Sequence, residues 1–134
     1  MRTIRAAIVA AALFAECVES IEFTSGDVEL LAAVISAEAR GESYEGMLAV
    51  GTVAVNRLKC GQWGDSLRKV LLAKNQFAKP RRVYGELEYR AAQESLSGKR
   101  VLPQNVLYFK NTYSPTFCDA VWHKRIGGHY FFER

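Results

Sequence analysis

Two apolar stripes with helical spacing flank a short polar turn in the first half of the chain. The first runs from Val28 through Leu31, Val34, Ile35 and Ala39, and the second from Met47 through Val50, Val53, Ala54 and Leu58. Both fit the i, i+3, i+4, i+7 pattern of a helix that buries one face. Between them stand Gly41, suited to the left-handed turn that ends a helix, and Ser43, suited to capping the next one. Asp27 is the expected N-cap of the first helix.

Further along, Gly61 is a plausible stop for the second helix. Asp65 or Ser66 can cap a short helix through Leu67, Val70 and Leu71. Lys74 to Pro80 reads as a loop. Glu86 to Leu96 reads as a helix with Tyr89, Ala92 and Leu96 turned inward and Gly98 as its stop. The pattern then changes. Val106 to Phe109 and His129 to Phe132 have strand composition, while Thr112 to Phe117, with Pro115, reads as a loop. Gly127-Gly128 before the last strand permits a close backbone approach.

The N-terminus follows a different rule. Met1-Arg2-Thr3-Ile4-Arg5 is a short basic start, Ala6 to Ala15 is continuously apolar, and Glu16, Glu19, Ser20 and Glu22 restore polarity. That order reads as a secretory signal peptide with cleavage between Ala12 and Cys17; an N-terminal helix packed on the domain is the other reading. Residues 1–26 are thus assigned to a signal and linker, and 27–134 to one domain.

Composition adds little that the pattern does not imply. A chain of 134 residues, 49% hydrophobic and 24% charged, supports one core. A net charge of +4 suits an anionic polymer without requiring nucleic acid. The small cluster Lys79, Arg81 and Arg82 lacks the aromatic interleaving of a nucleic-acid face. No segment of the domain is apolar for long enough to span a membrane. Cys17, Cys60 and Cys118 form no CxxC pair. A Cys60–Cys118 disulfide and separate thiols stay equally open.

The candidate chemistry centres on Glu38. It falls at the C-terminal end of the first helix, with Glu42 in the following turn. The negative helix end, burial and the second carboxylate would each favour its protonated form, as a general acid requires. Two solvated glutamates at a helix end would fit the spacing as well.

The segment Ala37-Glu38-Ala39-Arg40-Gly41-Glu42-Ser43-Tyr44-Glu45-Gly46, followed by Ala49 to Arg57, resembles the signature of the SleB/CwlJ cell-wall hydrolase family. Asn75-Gln76-Phe77, Ala91 to Gly98, Leu107-Tyr108-Phe109-Lys110-Asn111 and Ile126 to Phe132 resemble later elements of that family, in the same order. Lys110 departs from the family pattern, and a peptidoglycan-binding domain like that of the best-known members is not expected within these residues.

The resemblance implies an α+β, mainly helical, lysozyme-like domain with a small β element near the C-terminus. It implies a lytic transglycosylase that cuts between N-acetylmuramic acid and N-acetylglucosamine. Glu38 would be the catalytic residue, and neither cofactor nor metal would be needed. Glu42, Tyr44, Gln76, Phe77, Tyr108 and Asn111 would bind substrate, Glu42 alternatively holding its turn through backbone amides. The partner would be peptidoglycan glycan strands of spore cortex or vegetative wall, with a targeting or regulatory protein possible. The chain would be exported to the cell wall, periplasm or medium. An N-acetylmuramoyl-L-alanine amidase and a non-catalytic wall-binding module are the alternatives. The amidase is disfavoured by having only His123 and His129 to offer a metal.

Overall fold

A computed structural model of the chain describes residues 2–6, 17–83 and 85–134, with side-chain surroundings from residue 21 onward. Arg2–Ala6 (β1) and Cys17–Ile21 (β2) pair antiparallel as a two-stranded ribbon. The apolar stretch between them and most of the expected cleavage region lie outside the described residues.

The first helix, α1 (Ser25–Ala39), is capped by Thr24 rather than Asp27. Thr24 Oγ1 accepts from the Asp27 amide at 3.2 Å, while Asp27 accepts from the Thr24 amide at 2.9 Å. This reciprocal box satisfies two amides and moves the helix start upstream of the apolar stripe. Helix α2 (Tyr44–Cys60) starts on Ser43 and ends on Gly61 in the left-handed conformation, both as expected. Ser66 caps α3 (Leu67–Leu72), and α4 spans Glu86–Leu96.

Leu31, Val34 and Ile35 of α1, Val50, Val53 and Ala54 of α2, and Ala91, Ala92 and Leu96 of α4 are all fully buried in one core. Helices α2 and α4 meet at Gly51, where a Cβ would lie 2.2 Å from Ser95 Oγ. Only glycine lets the two backbones come this close. Tyr89, expected inward, is exposed instead. The buried stripe of α4 is Glu88, Ala91, Ala92, Ser95 and Leu96, and Tyr89 falls on its rim.

Four antiparallel strands follow, in the order β3 (Val106–Lys110), β6 (His129–Glu133), β5 (Ala120–Ile126) and β4 (Thr116–Phe117). β3 and β6 match expectation. β4 and β5 do not: Thr116 and Phe117 fall in the expected loop of Thr112 to Phe117, and residues 120–125 carry no strand expectation. A register shift between Trp122 and Lys124, with exposed Lys124 and Arg125, breaks the period-2 signal in β5. Phe131 faces the helical core, with Phe109 packed beside it, whereas Tyr108 and Phe132 form a second cluster with Phe117 and Tyr130. No helix among the described residues is long and apolar enough to cross a membrane.

Candidate active site

Glu38 sits one residue before the end of α1 and is half-buried. Its Oε2 accepts a 2.8 Å hydrogen bond from the backbone amide of Ala78. The loop carrying that amide is laced along α1. The Arg81 amide donates to the Ala33 carbonyl at 3.0 Å, and Ser36 Oγ donates to the Arg82 carbonyl at 2.9 Å. Among the described residues, the Ala78 amide is the hydrogen-bond donor that reaches the carboxyl, and it does so on Oε2. The structure thus brings together two segments forty residues apart, the Glu38 helix end and the loop of Gln76 and Phe77.

Arg57 holds that loop from below. It is 4% exposed. Its Nε donates to the Leu107 carbonyl at 2.7 Å and its Nη1 to Gln76 Oε1 at 3.0 Å. The guanidinium lies 4.3 Å from the Trp63 ring centre, 4.9 Å from Phe77 and 5.4 Å from Tyr108. Desolvation lowers its pKa to about 10, which leaves it a cation at neutral pH. A buried cation is tolerated where ring faces and fixed acceptors replace its water. Sequence reading missed this residue, because a single arginine at a helix end looks like any solvated one. Its place four positions before a glycine stop, on an otherwise apolar face, was the available sign.

The other expected site residues divide. Gln76 and Phe77 are in the loop that reaches Glu38, but Gln76 faces Arg57, and Phe77 is buried against Phe109. Tyr108 is buried too, edge-on to Trp63 and Phe117, its hydroxyl donating to Asp119 at 3.0 Å. Glu42 accepts from the Gly128 amide at 3.0 Å, which ties the α1–α2 turn to the β5–β6 turn. The Tyr44 hydroxyl donates to Glu94 of α4, beneath Arg90. Burial, then that acidic partner, raise the Tyr44 pKa to about 12. Asn111 is exposed just beyond β3.

Among the described residues, both histidines have partners other than Glu38. His123 Nδ1 is 3.2 Å from Glu133, and His129 is buried edge-on to Phe109. Cys60 and Cys118 are free, exposed thiols. A cavity of about 410 Å³ bordered by Phe23, Leu58, Leu67 and Leu96 involves none of these site residues.

Residues 41–132 match the family model described as Cell Wall Hydrolase. The chain is 30% identical over 129 residues to Cell wall hydrolase CwlJ of Bacillus subtilis (strain 168), covering 84% of this chain and 89% of that protein. It is 30% identical over 118 residues to the Spore cortex-lytic enzyme of the same organism, covering 83% of this chain but 39% of that longer protein. The fold is similar to the crystal structure of the catalytic domain of the Bacillus cereus SleB protein. That likeness has a TM-score of 0.74 at 23% identity and covers 84% of this chain and 93% of the other. It is also similar to the catalytic domain of the germination-specific lytic transglycosylase SleB from Bacillus anthracis. Here the TM-score is 0.70 at 22% identity, with coverage of 83% and 97%.

Proposed function

The chain belongs to the Cell Wall Hydrolase family, and from that premise we propose that it is a lytic transglycosylase with Glu38 as its single catalytic residue. It cuts peptidoglycan glycan strands between N-acetylmuramic acid and N-acetylglucosamine. The observation that carries this reading is the Ala78 amide on Glu38 Oε2. One oxygen is anchored, so the other is held at a fixed position for proton transfer.

The chemistry needs one carboxyl. Protonated Glu38 donates its proton to the glycosidic oxygen as the C1–O bond breaks, and the positive charge spreads over C1 and the ring oxygen. The muramic acid C6 hydroxyl then adds to C1, and its proton returns to the Glu38 carboxylate. The products are a 1,6-anhydro end and a new 4-hydroxyl end, and no water is consumed. This differs from glycosidases that need two carboxylates set across the bond. Glu42 is engaged with Gly128 and acts as a brace for the site. Asn111, exposed at the end of β3, is the residue of the expected set best placed to meet sugar from solvent.

The same reading places the chain outside the cytoplasm, where its substrate is. Export predicts that the mature N-terminus lies within or just after residues 12–17, as N-terminal sequencing of cell-wall fractions would show.

Digestion of purified sacculi followed by mass spectrometry tests the reaction. Anhydro-muropeptides from the parent and none from a folded Glu38→Gln variant are the expected result. Hydrated reducing ends would replace transglycosylation with hydrolysis. Free stem peptides would replace it with amidase chemistry, and binding without release would leave only a wall-binding module.

A further inference from the structure

Three aromatic side chains stand together at the sheet, two of them exposed and one half-buried. Tyr113 is 57% exposed and Trp122 is 42% exposed. The Tyr113 ring centre is 5.6 Å from Trp122 and 5.9 Å from half-buried Tyr130, edge-on to both. Scattered apolar residues on a surface need no explanation, but a contiguous aromatic group does. Edge-on contact stabilises the group while using few of its ring faces.

The surrounding charge is positive. The Arg125 guanidinium lies 5.2 Å from the Tyr130 ring centre, and the Lys110 ammonium 4.6 Å from that of Phe117 in β4. Of the acids in this part of the chain, Asp119 is engaged with Arg134 and Tyr108, Glu133 with His123, and Glu42 with the Gly128 amide. The group is linked through the β5–β6 turn to the turn that follows Glu38. Arg125 Nε donates to the Gly127 carbonyl at 2.8 Å, and the next residue, Gly128, is bound to Glu42. Asn111 is two positions before Tyr113.

We infer that Tyr113, Trp122 and Tyr130, with Arg125, form a binding platform for the glycan strand at a distance from the cleaved bond. The inference rests on the peptidoglycan reading above. A pyranose ring presents an apolar C–H face that stacks on an aromatic ring, and its polar edges stay in water. The stem-peptide carboxylates of the strand, or the lactyl carboxylate where no stem is attached, meet Arg125 and Lys110. A short fragment spanning only the cleaved bond does not reach the platform; a long strand does.

Binding is measured in the Glu38→Gln background, so that turnover plays no part. Long soluble peptidoglycan strands and disaccharide muropeptides are titrated by calorimetry. The expected result is a loss of roughly tenfold in strand affinity for Trp122→Ala and for Tyr113→Ala, the worth of one aromatic contact. Trp122→Phe keeps most of the affinity, and muropeptide binding is unchanged in all variants. The protein has two tryptophans. A strand-dependent fluorescence change that persists in Trp63→Phe and vanishes in Trp122→Phe would place the sugar at Trp122. Equal strand affinity in parent and alanine variants overturns the platform, even if sacculi are still cleaved. Platform-dependent binding by a protein that releases no muropeptides would instead uphold it and overturn the proposed reaction.

Discussion

Gly128 donates its backbone amide to Glu42 at 3.0 Å across 86 positions of sequence. The approach leaves no room for a side chain. A Cβ on Gly128 would lie 2.8 Å from Glu42 Oε2, and one on Gly127 2.1 Å from Oε1. The carboxylate can swing aside, so Gly128→Ala costs mainly the hydrogen bond, about 1–3 kcal/mol. Gly127→Ala costs more, because Gly127 also has φ of 57°, a region that disfavours a Cβ. Urea unfolding checks both. A Gly128→Ala protein as stable as its parent would remove the clasp from the account.

Arg57→Lys is expected to lower stability by roughly 2–4 kcal/mol, because an ammonium cannot bridge the Leu107 carbonyl and Gln76 together. It also releases the loop whose Ala78 amide holds Glu38. The variant should therefore lose more in kcat than in KM on sacculi. Gln76→Ala should show the same split with a smaller loss of stability.

Gly51→Ala forces a Cβ to within 2.2 Å of Ser95 Oγ and 2.9 Å of Ser95 Cβ, where helix backbones hold both sides. A loss of about 1–3 kcal/mol is expected. Among the described residues, Ser95 Oγ is buried with no hydrogen-bond partner. Ser95→Ala alone should accordingly be neutral or stabilising. Thermal unfolding of the two single variants and the double variant reads the coupling.

Tyr44 gives a pH signature. Its pKa is raised from 10.0 to about 12 in the fold by burial and by Glu94. The folded state therefore holds the phenol proton more tightly than the unfolded chain. The resulting stability is fully present below pH 10 and is lost as pH rises toward about 12. Comparing parent with Tyr44→Phe across that range isolates the effect. The parent's advantage, if any, must shrink on going alkaline.

Much of this was legible in the chain because the signals were local. Ser43 and Gly61 capped α2 where their chemistry said they would, and the apolar spacing marked the faces of α1 and α2. The place of Glu38 near the end of α1 followed from the same local frame. What stayed hidden depends on contacts between distant segments. Arg57 looks solvated until Trp63, Phe77 and Tyr108 are folded around it. β5 carries two exposed basic residues and a register shift, so alternation could not reveal it. Thr24 was overlooked as a cap because Asp27, its partner in the box, carries the stronger signal by itself.

The donor that anchors Glu38 is a main-chain group. Almost any residue at position 78 can supply it, so kin can drift there without losing the bond and a column of aligned residues would understate the site. Only an imino acid removes the hydrogen, and Ala78→Pro should disarm the carboxyl while leaving every catalytic side chain in place.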